Sequence, residues 1–178
     1  MAEPGDIAGE WIAALRGWGE RVAWSAAGRT STYRDFADRI DWHTAEFQRR
    51  GIRSGALVMI EGRTAEDTAA ALLAAWQARA IAALYLDRAV AEQAVAQAGS
   101  SWWIEEPDGW RERAAQGARV HPLIATLRAR GEPGLILLSS ATTAAPKAIL
   151  HSAATLLARR PLAQEPKNYR LLSLMPMG

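Results

Sequence analysis

Apolar residues recur along this chain at two spacings, and the switch between them divides it into elements. Over Ile7–Gly17 the spacing is helical, with Trp11, Ile12 and Leu15 on one face. Arg21–Ser25 is a short strand, Ala27-Gly28 a turn, and the β-branched, aromatic run Arg29–Tyr33 its hairpin partner. Thr32 stands where an N-cap belongs, ahead of a long helix over Tyr33–Arg50 with Phe36, Ile40 and Phe47 on its apolar face. Gly51 stops that helix, and Arg49-Arg50 suit its negative end.

Beyond Gly51 the pattern alternates. Ala56–Ile60 is an unbroken apolar run of strand length, the kind buried on both faces of a parallel sheet. Thr64–Arg79 is an alanine- and leucine-rich helix opened by Thr64, with Glu66 and Asp67 in its first turn. A strand over Ile81–Leu86, a helix over Arg88–Ala98 ended by Gly99, and a strand over Ser101–Ile104 follow. This succession predicts an α/β domain with a layered, mostly parallel sheet flanked by helices.

Glu105–Gly117, with the turn Pro107-Asp108-Gly109, is expected to be the least ordered stretch, and Arg119–Leu123 a short edge segment. Gly131–Gly134 breaks the chain before a buried strand over Leu135–Leu138. A polar loop, a returning strand over Ala148–Leu150, a helix over Ser152–Arg159 and a last strand over Arg170–Met175 complete the prediction.

Composition narrows the class. The 178 residues are 49% hydrophobic and 22% charged, enough for a real core and unlike a disordered chain. The absence of cysteine removes disulfides, thiolate nucleophiles and Cys-ligated zinc. A net charge of +2 is interleaved in sign along the chain, as on a solvated surface, so no nucleic-acid partner is expected. Alanine makes up about a fifth of the residues, above ordinary usage, a bias that a GC-rich genome produces by itself. Met1–Glu10 lacks the features of a secretory signal, and the most apolar stretch, Ala69–Leu86, is too weak to span a membrane. A cytoplasmic, soluble protein is expected.

Chemistry concentrates in one segment, Leu135–Ser152. A buried strand delivers the chain into Ser139, Ser140, Thr142 and Thr143, then Pro146-Lys147, before the next strand begins. Hydroxyls and loop amides donate to phosphate oxygens, and Lys147 adds a compact cation, so the segment suits a polyanion. A hydroxyl-rich surface turn that binds nothing has the same composition. No paired carboxylates or clustered histidines offer a rival active site; His43, His121 and His151 are isolated in sequence and are expected to be structural. Trp102-Trp103 is expected to pack in a core or interface. No residue is assigned as catalytic, and none as a metal ligand.

The order of the loop residues adds a resemblance. Ser139-Ser140-Ala141-Thr142-Thr143-Ala144-Ala145-Pro146-Lys147-Ala148, trailed by Ile149-Leu150-His151-Ser152, resembles the phosphate-binding loop of the adenylate-forming (AMP-binding) superfamily. That superfamily includes acyl- and aryl-CoA synthetases, luciferases and peptide-synthetase adenylation domains. Thr32-Tyr33 at a helix start and Gly51-Ile-Arg-Ser-Gly55 before a strand are similar to further segments of its N-terminal region, with Ala56 where the family carries aspartate. The resemblance implies that residues 1–178 form the N-terminal subdomain of an ATP-dependent ligase, ending after the phosphate-loop hairpin and its helix. Such a ligase activates a carboxylic acid as acyl-adenylate with Mg-ATP and passes the acyl group to coenzyme A or a carrier's pantetheine. Ser139, Ser140, Thr142, Thr143 and Lys147 are then the residues implied to hold the phosphates of ATP.

The chain departs from the family pattern in two respects. Ala141, Ala144 and Ala148 replace the three glycines of the family loop, which implies that ATP is held weakly or differently. The family's adenine, ribose, magnesium and lid segments are absent, so this chain alone should not turn over. A missing C-terminal portion or a second chain is expected to cover an exposed sheet edge. The alternative is a non-catalytic binding or scaffold module that kept the fold around a glycine-less loop.

Overall fold

The computed structural model describes residues 7–26, 28–62, 64–95, 100–105, 109–113, 120–138 and 147–158. An N-terminal helix, α1 (Ile7–Gly17), leads into a hairpin of β1 (Val22–Ala26) and β2 (Arg29–Thr32). Helix α2 (Tyr33–Arg50) begins with a reciprocal cap: the Thr32 hydroxyl accepts from the Asp35 amide, and the Thr32 amide donates to the Asp35 carboxylate at 2.7 Å. Gly51 closes it in the left-handed conformation, φ +75°.

The rest builds one sheet. Strands β3 (Leu57–Glu61), β4 (Ile81–Tyr85), β5 (Ser101–Glu105) and β7 (Gly134–Leu138) run parallel, with β6 (Gly109–Arg113) antiparallel beside β5 and β8 (Ala148–Ser152) antiparallel beside β7. The order across the sheet is β6-β5-β3-β4-β7-β8, which makes β6 and β8 the outer strands among the described residues. Helices α3 (Ala65–Gln77), α4 (Arg88–Val95), α5 (Pro122–Ala129) and α6 (Ala153–Leu157) complete the elements among the described residues.

Both faces of the inner strands are buried, as the unbroken apolar runs predict. Val58, Ile60 and Ala82 pack with α1, α2 and α3 on one face. Leu57, Met59, Ile81 and Ala83 pack on the other with Ala91 of α4 and with Ile124 and Leu127 of α5. The buried side of α3 consists of Ala70, Ala71, Ala74 and Ala75, each 2% exposed or less, together with Trp76. Small side chains let this helix lie close on the strands, so part of the alanine excess has a packing role. At the end of the same helix the Trp76 indole donates to the Gly134 carbonyl at 2.9 Å, tying α3 to the start of β7.

Two expectations need correction. Residues 109–113, placed in the least ordered stretch, form the edge strand β6. Trp110 is its buried anchor, 2% exposed and edge-on to Phe47, while Arg111, Glu112 and Arg113 keep the outer strand charged. One apolar residue among charges gives no strand periodicity; pairing with β5 supplies the rest. Of the proposed edge segment Arg119–Leu123, Arg119 lies outside the described residues, and Pro122 and Leu123 instead open helix α5. Pro122 occupies the first turn, where its missing amide costs nothing, and the His121 ring accepts from the Leu123 amide at 3.3 Å. Trp103 is in the core as expected, beside Tyr85 and flanked by the Arg88 and Arg113 guanidiniums. The predicted strand Arg170–Met175, the turn residue Ala27 and the helix stop Gly99 lie outside the described residues.

Gly134 is a sensitive point of this packing, because a Cβ there would stand 2.5 Å from Leu127 Cδ2 and 3.3 Å from the His151 carbonyl oxygen. Gly134→Ala is expected to lower the unfolding free energy by about 1–3 kcal/mol through overpacking, measured by urea denaturation. An unchanged midpoint would mean that α5 is not held against β7 as described.

Candidate functional site

The hairpin connection between β7 and β8 springs from the carboxyl ends of the parallel strands. Leu84 pairs with Leu137, and Glu61 with Tyr85, so β3, β4 and β7 end along one edge. In open α/β sheets that edge is where ligands are bound. Of the predicted phosphate-binding residues, Ser139, Ser140, Thr142 and Thr143 lie outside the described residues. Lys147 is described: it is exposed and immediately precedes β8.

Ala148, one of the three alanines in glycine positions, opens β8 opposite Leu138. Among the described residues Arg79 is the one non-glycine with positive φ, so alanine is unstrained at position 148. The trailing pair ends β8. His151 pairs with Leu135 along the strands, and the Ser152 hydroxyl caps α6 by accepting from the Thr155 amide. At the hairpin, Leu137 and Ile149 face each other in register and are 39% and 51% exposed.

A second concave feature was not legible as a site in the sequence. A pocket of about 540 Å³ lies between α2, the start of α3, the end of β3 and Trp110 of β6. Asp35, Asp38, Arg39, Trp42 and His43 line it from α2; Glu61 and Asp67 close it from β3 and α3. The α2 residues recur every three or four positions, which places them on one helix face, and that polar stripe was the available signal. His43, read as isolated, is 1% exposed, and its Nε2 lies 3.3 Å from Asp67 Oδ1. Arg39 Nη1 reaches the same oxygen at 3.3 Å and Arg39 Nε reaches Glu66 at 3.7 Å. The His43 hydrogen bond, against a smaller opposing effect of burial and aided by Arg39, holds the Asp67 carboxyl below its ordinary range. Among the described residues no three acidic or imidazole side chains converge as a metal ion requires, and no helix is long and apolar enough to cross a membrane.

The fold is an α/β one in which a mostly parallel sheet is covered by helices on both faces, and solved structures share it. VinN superimposes with a TM-score of 0.59 at 15% identity, over 85% of this chain and 46% of that one. The N-terminal subdomain of Klebsiella oxytoca NpsA, solved with 3-hydroxybenzoyl-AMSN, gives 0.57 at 20% identity over 82% of this chain and 40% of that one. The O-succinylbenzoate coenzyme A synthetase MenE of Bacillus subtilis, solved with AMP, gives 0.55 at 12% identity over 81% and 42%. This is the fold that the loop resemblance implied, that of the N-terminal part of adenylate-forming enzymes. The chain spans less than half the length of these structures. No protein-family model matches the chain, and no curated protein matches it in sequence.

The Asp67 cluster makes stability depend on acid. A carboxyl whose folded pKa is depressed contributes stability above its unfolded value, near 4, and that contribution is lost as pH falls through the lower folded value. Asp67→Asn is therefore expected to be less stable than the parent at neutral pH, with the gap closing below about pH 4. Urea midpoints measured from pH 7 to pH 2 check this; a gap that persists unchanged at pH 2 would assign the effect to lost packing.

Proposed function

We propose that this chain is the N-terminal part of an AMP-forming acid–thiol ligase, a protein that activates a carboxylic acid as its acyl-adenylate. The observation that carries the reading is the segment Ser139–Ser152, whose hydroxyls, Pro146, Lys147 and His151-Ser152 match the superfamily loop in register. Its position at the carboxyl edge of β7 supports it. So does a fold shared with proteins solved with AMP and with 3-hydroxybenzoyl-AMSN. The hydroxyls of Ser139, Ser140, Thr142 and Thr143 would donate to the β- and γ-phosphates of ATP. The Lys147 ammonium would offset the charge that collects on pyrophosphate as the carboxylate oxygen bonds the α-phosphorus and the α–β bridge breaks. Mg²⁺ would supply further charge neutralisation, and coenzyme A or a carrier's pantetheine the accepting thiol. Polypeptide beyond the described residues, or a second chain, would cover Leu137 and Ile149 at the hairpin.

The glycine-less loop favours a second reading, a scaffold module that retained the fold and lost turnover. Alanine at positions 141 and 144 costs about 1 kcal/mol at each site that requires the left-handed region, whereas Ala148 carries no such cost.

Exchange of labelled pyrophosphate into ATP, run on the full-length protein with a panel of carboxylic acids, separates the two. Exchange is expected with a cognate acid and is expected to fall about a hundredfold in Lys147→Ala. Absence of exchange with every acid would favour the scaffold. Isothermal titration should find ATP bound more weakly than micromolar, and the double change Ala141→Gly with Ala144→Gly should tighten it about tenfold where one of the two sites requires the left-handed region and about thirtyfold where both do. Micromolar affinity in the parent protein would show that the alanines cost the loop nothing.

A further inference from the structure

Three helices end at the amino edge of the sheet, each just before a strand: α2 before β3, α3 before β4 and α5 before β7. The three turns are tied together. The Gly55 amide donates to the Arg79 carbonyl at 3.0 Å, and Arg128 Nε of α5 donates to the Gly55 carbonyl at 2.7 Å. Arg79 Nη1 and Ser54 Oγ each lie 4.0 Å from the point where a Cβ on Gly131 would stand. Arg53, Arg79 and Arg130 are thus gathered from three separate turns at the edge opposite the β7–β8 hairpin.

Two features set these arginines apart. Among the described residues, the exposed side chains of Arg53, Arg79 and Arg130 make no ion pair or hydrogen bond, and neither does the Ser54 hydroxyl. By contrast, Arg16, Arg34, Arg39, Arg49, Arg88 and Arg113 are each paired with a carboxylate. The turns hold one acidic residue of their own, Glu132, and its carboxylate accepts from the Ser152 hydroxyl at 3.2 Å. Arg79 also stands at φ +55°, the one described non-glycine residue in the left-handed region, which glycine enters freely and an L side chain does not. A cation near a helix C-terminus gains from the dipole, but α2 and α5 already carry Arg49, Arg50 and Arg128 in their last turns. The further arginines add like charge that is left for an external anion to meet.

Exposure and side-chain chemistry select that anion. These residues stand on surface turns, which suits an extended partner over an enclosed small molecule. Guanidinium forks match carboxylates with two parallel hydrogen bonds. Nucleic acid fits less well. Trp42, the one aromatic among the exposed large apolar residues, lies about 13 Å along α2 from Gly51, so among the described residues no exposed indole or phenyl ring stands at the turns for a base to stack on.

We infer that the amino edge of the sheet is a docking surface for an acidic, Asp- or Glu-rich segment of a partner protein. Arg53, Arg79 and Arg130 each grip a carboxylate, and the Ser54 hydroxyl donates to one of them.

Dye-labelled hexaglutamate, with hexaglutamine as its uncharged match and hexathymidylate as a nucleic-acid match, tests this by fluorescence anisotropy against the full-length protein at low ionic strength. Hexaglutamate is expected to bind saturably and more weakly as salt is added, and hexaglutamine not to bind. Arg53→Gln, Arg79→Gly and Arg130→Gln should each weaken hexaglutamate about threefold, and the triple variant about thirtyfold. Arg29→Gln, which removes an equal charge from the β1–β2 hairpin, should leave it unchanged. Arg79→Gly separates docking from folding: it relieves the left-handed backbone, so its urea midpoint should hold while its affinity falls. No saturable binding of hexaglutamate, equal binding of hexaglutamine, an equal loss in Arg29→Gln, or tighter binding of hexathymidylate through the same arginines would overturn the inference. Because the surface lies opposite the β7–β8 hairpin, its failure leaves the proposed ligase reading standing.

Discussion

The arrangement rests on the close contact between α3 and the inner strands. Ala70, Ala71, Ala74 and Ala75 carry no bulk to hold the helix off, and the facing Val58, Ile60 and Ala82 fill the space beneath it. Trp76, the one large residue among the buried ones of this helix, bonds the carbonyl of Gly134. Helix, β3, β4 and the origin of β7 are thereby held as one body. Everything with chemical potential is placed relative to it: the hairpin at the far end of β7, and the acidic pocket at the first turns of α3.

The two candidate regions draw on different strands of that body. β7 lies on one side of β4, and β3, whose Glu61 lines the acidic pocket, on the other. The local devices around the pocket are coupled. Asp35 caps α2 through Thr32, Asp67 receives the Thr64 cap through its amide, and its carboxylate holds His43. A change in this cluster is therefore felt in stability.

Much of the architecture was legible from local signals. Thr32, Thr64 and Ser152 cap helices because their short hydroxyl side chains meet free amides at the first turn. Gly51 ends α2 because it enters the left-handed region without a Cβ. The apolar runs in β3, β4 and β7 show burial on both faces directly. The misses have a common cause: β6 and α5 are held by a few anchors, Trp110 in one and Ile124 and Leu127 in the other, too few to set a periodicity. The acidic pocket escaped notice because His43 and Asp67 are 24 positions apart and meet through the packing of α2 on α3.

What the chain determined by itself is therefore the set of local conformations, the doubly buried strands and the loop that resembles a phosphate binder, since each is written in neighbouring residues. Tertiary structure alone decided the strand order, the edge placement of β6, the closeness of α3 to the sheet and the meeting of His43 with Asp67. Those depend on contacts between residues far apart in sequence, whose free energy is realised only when the helices and sheet close over a shared core.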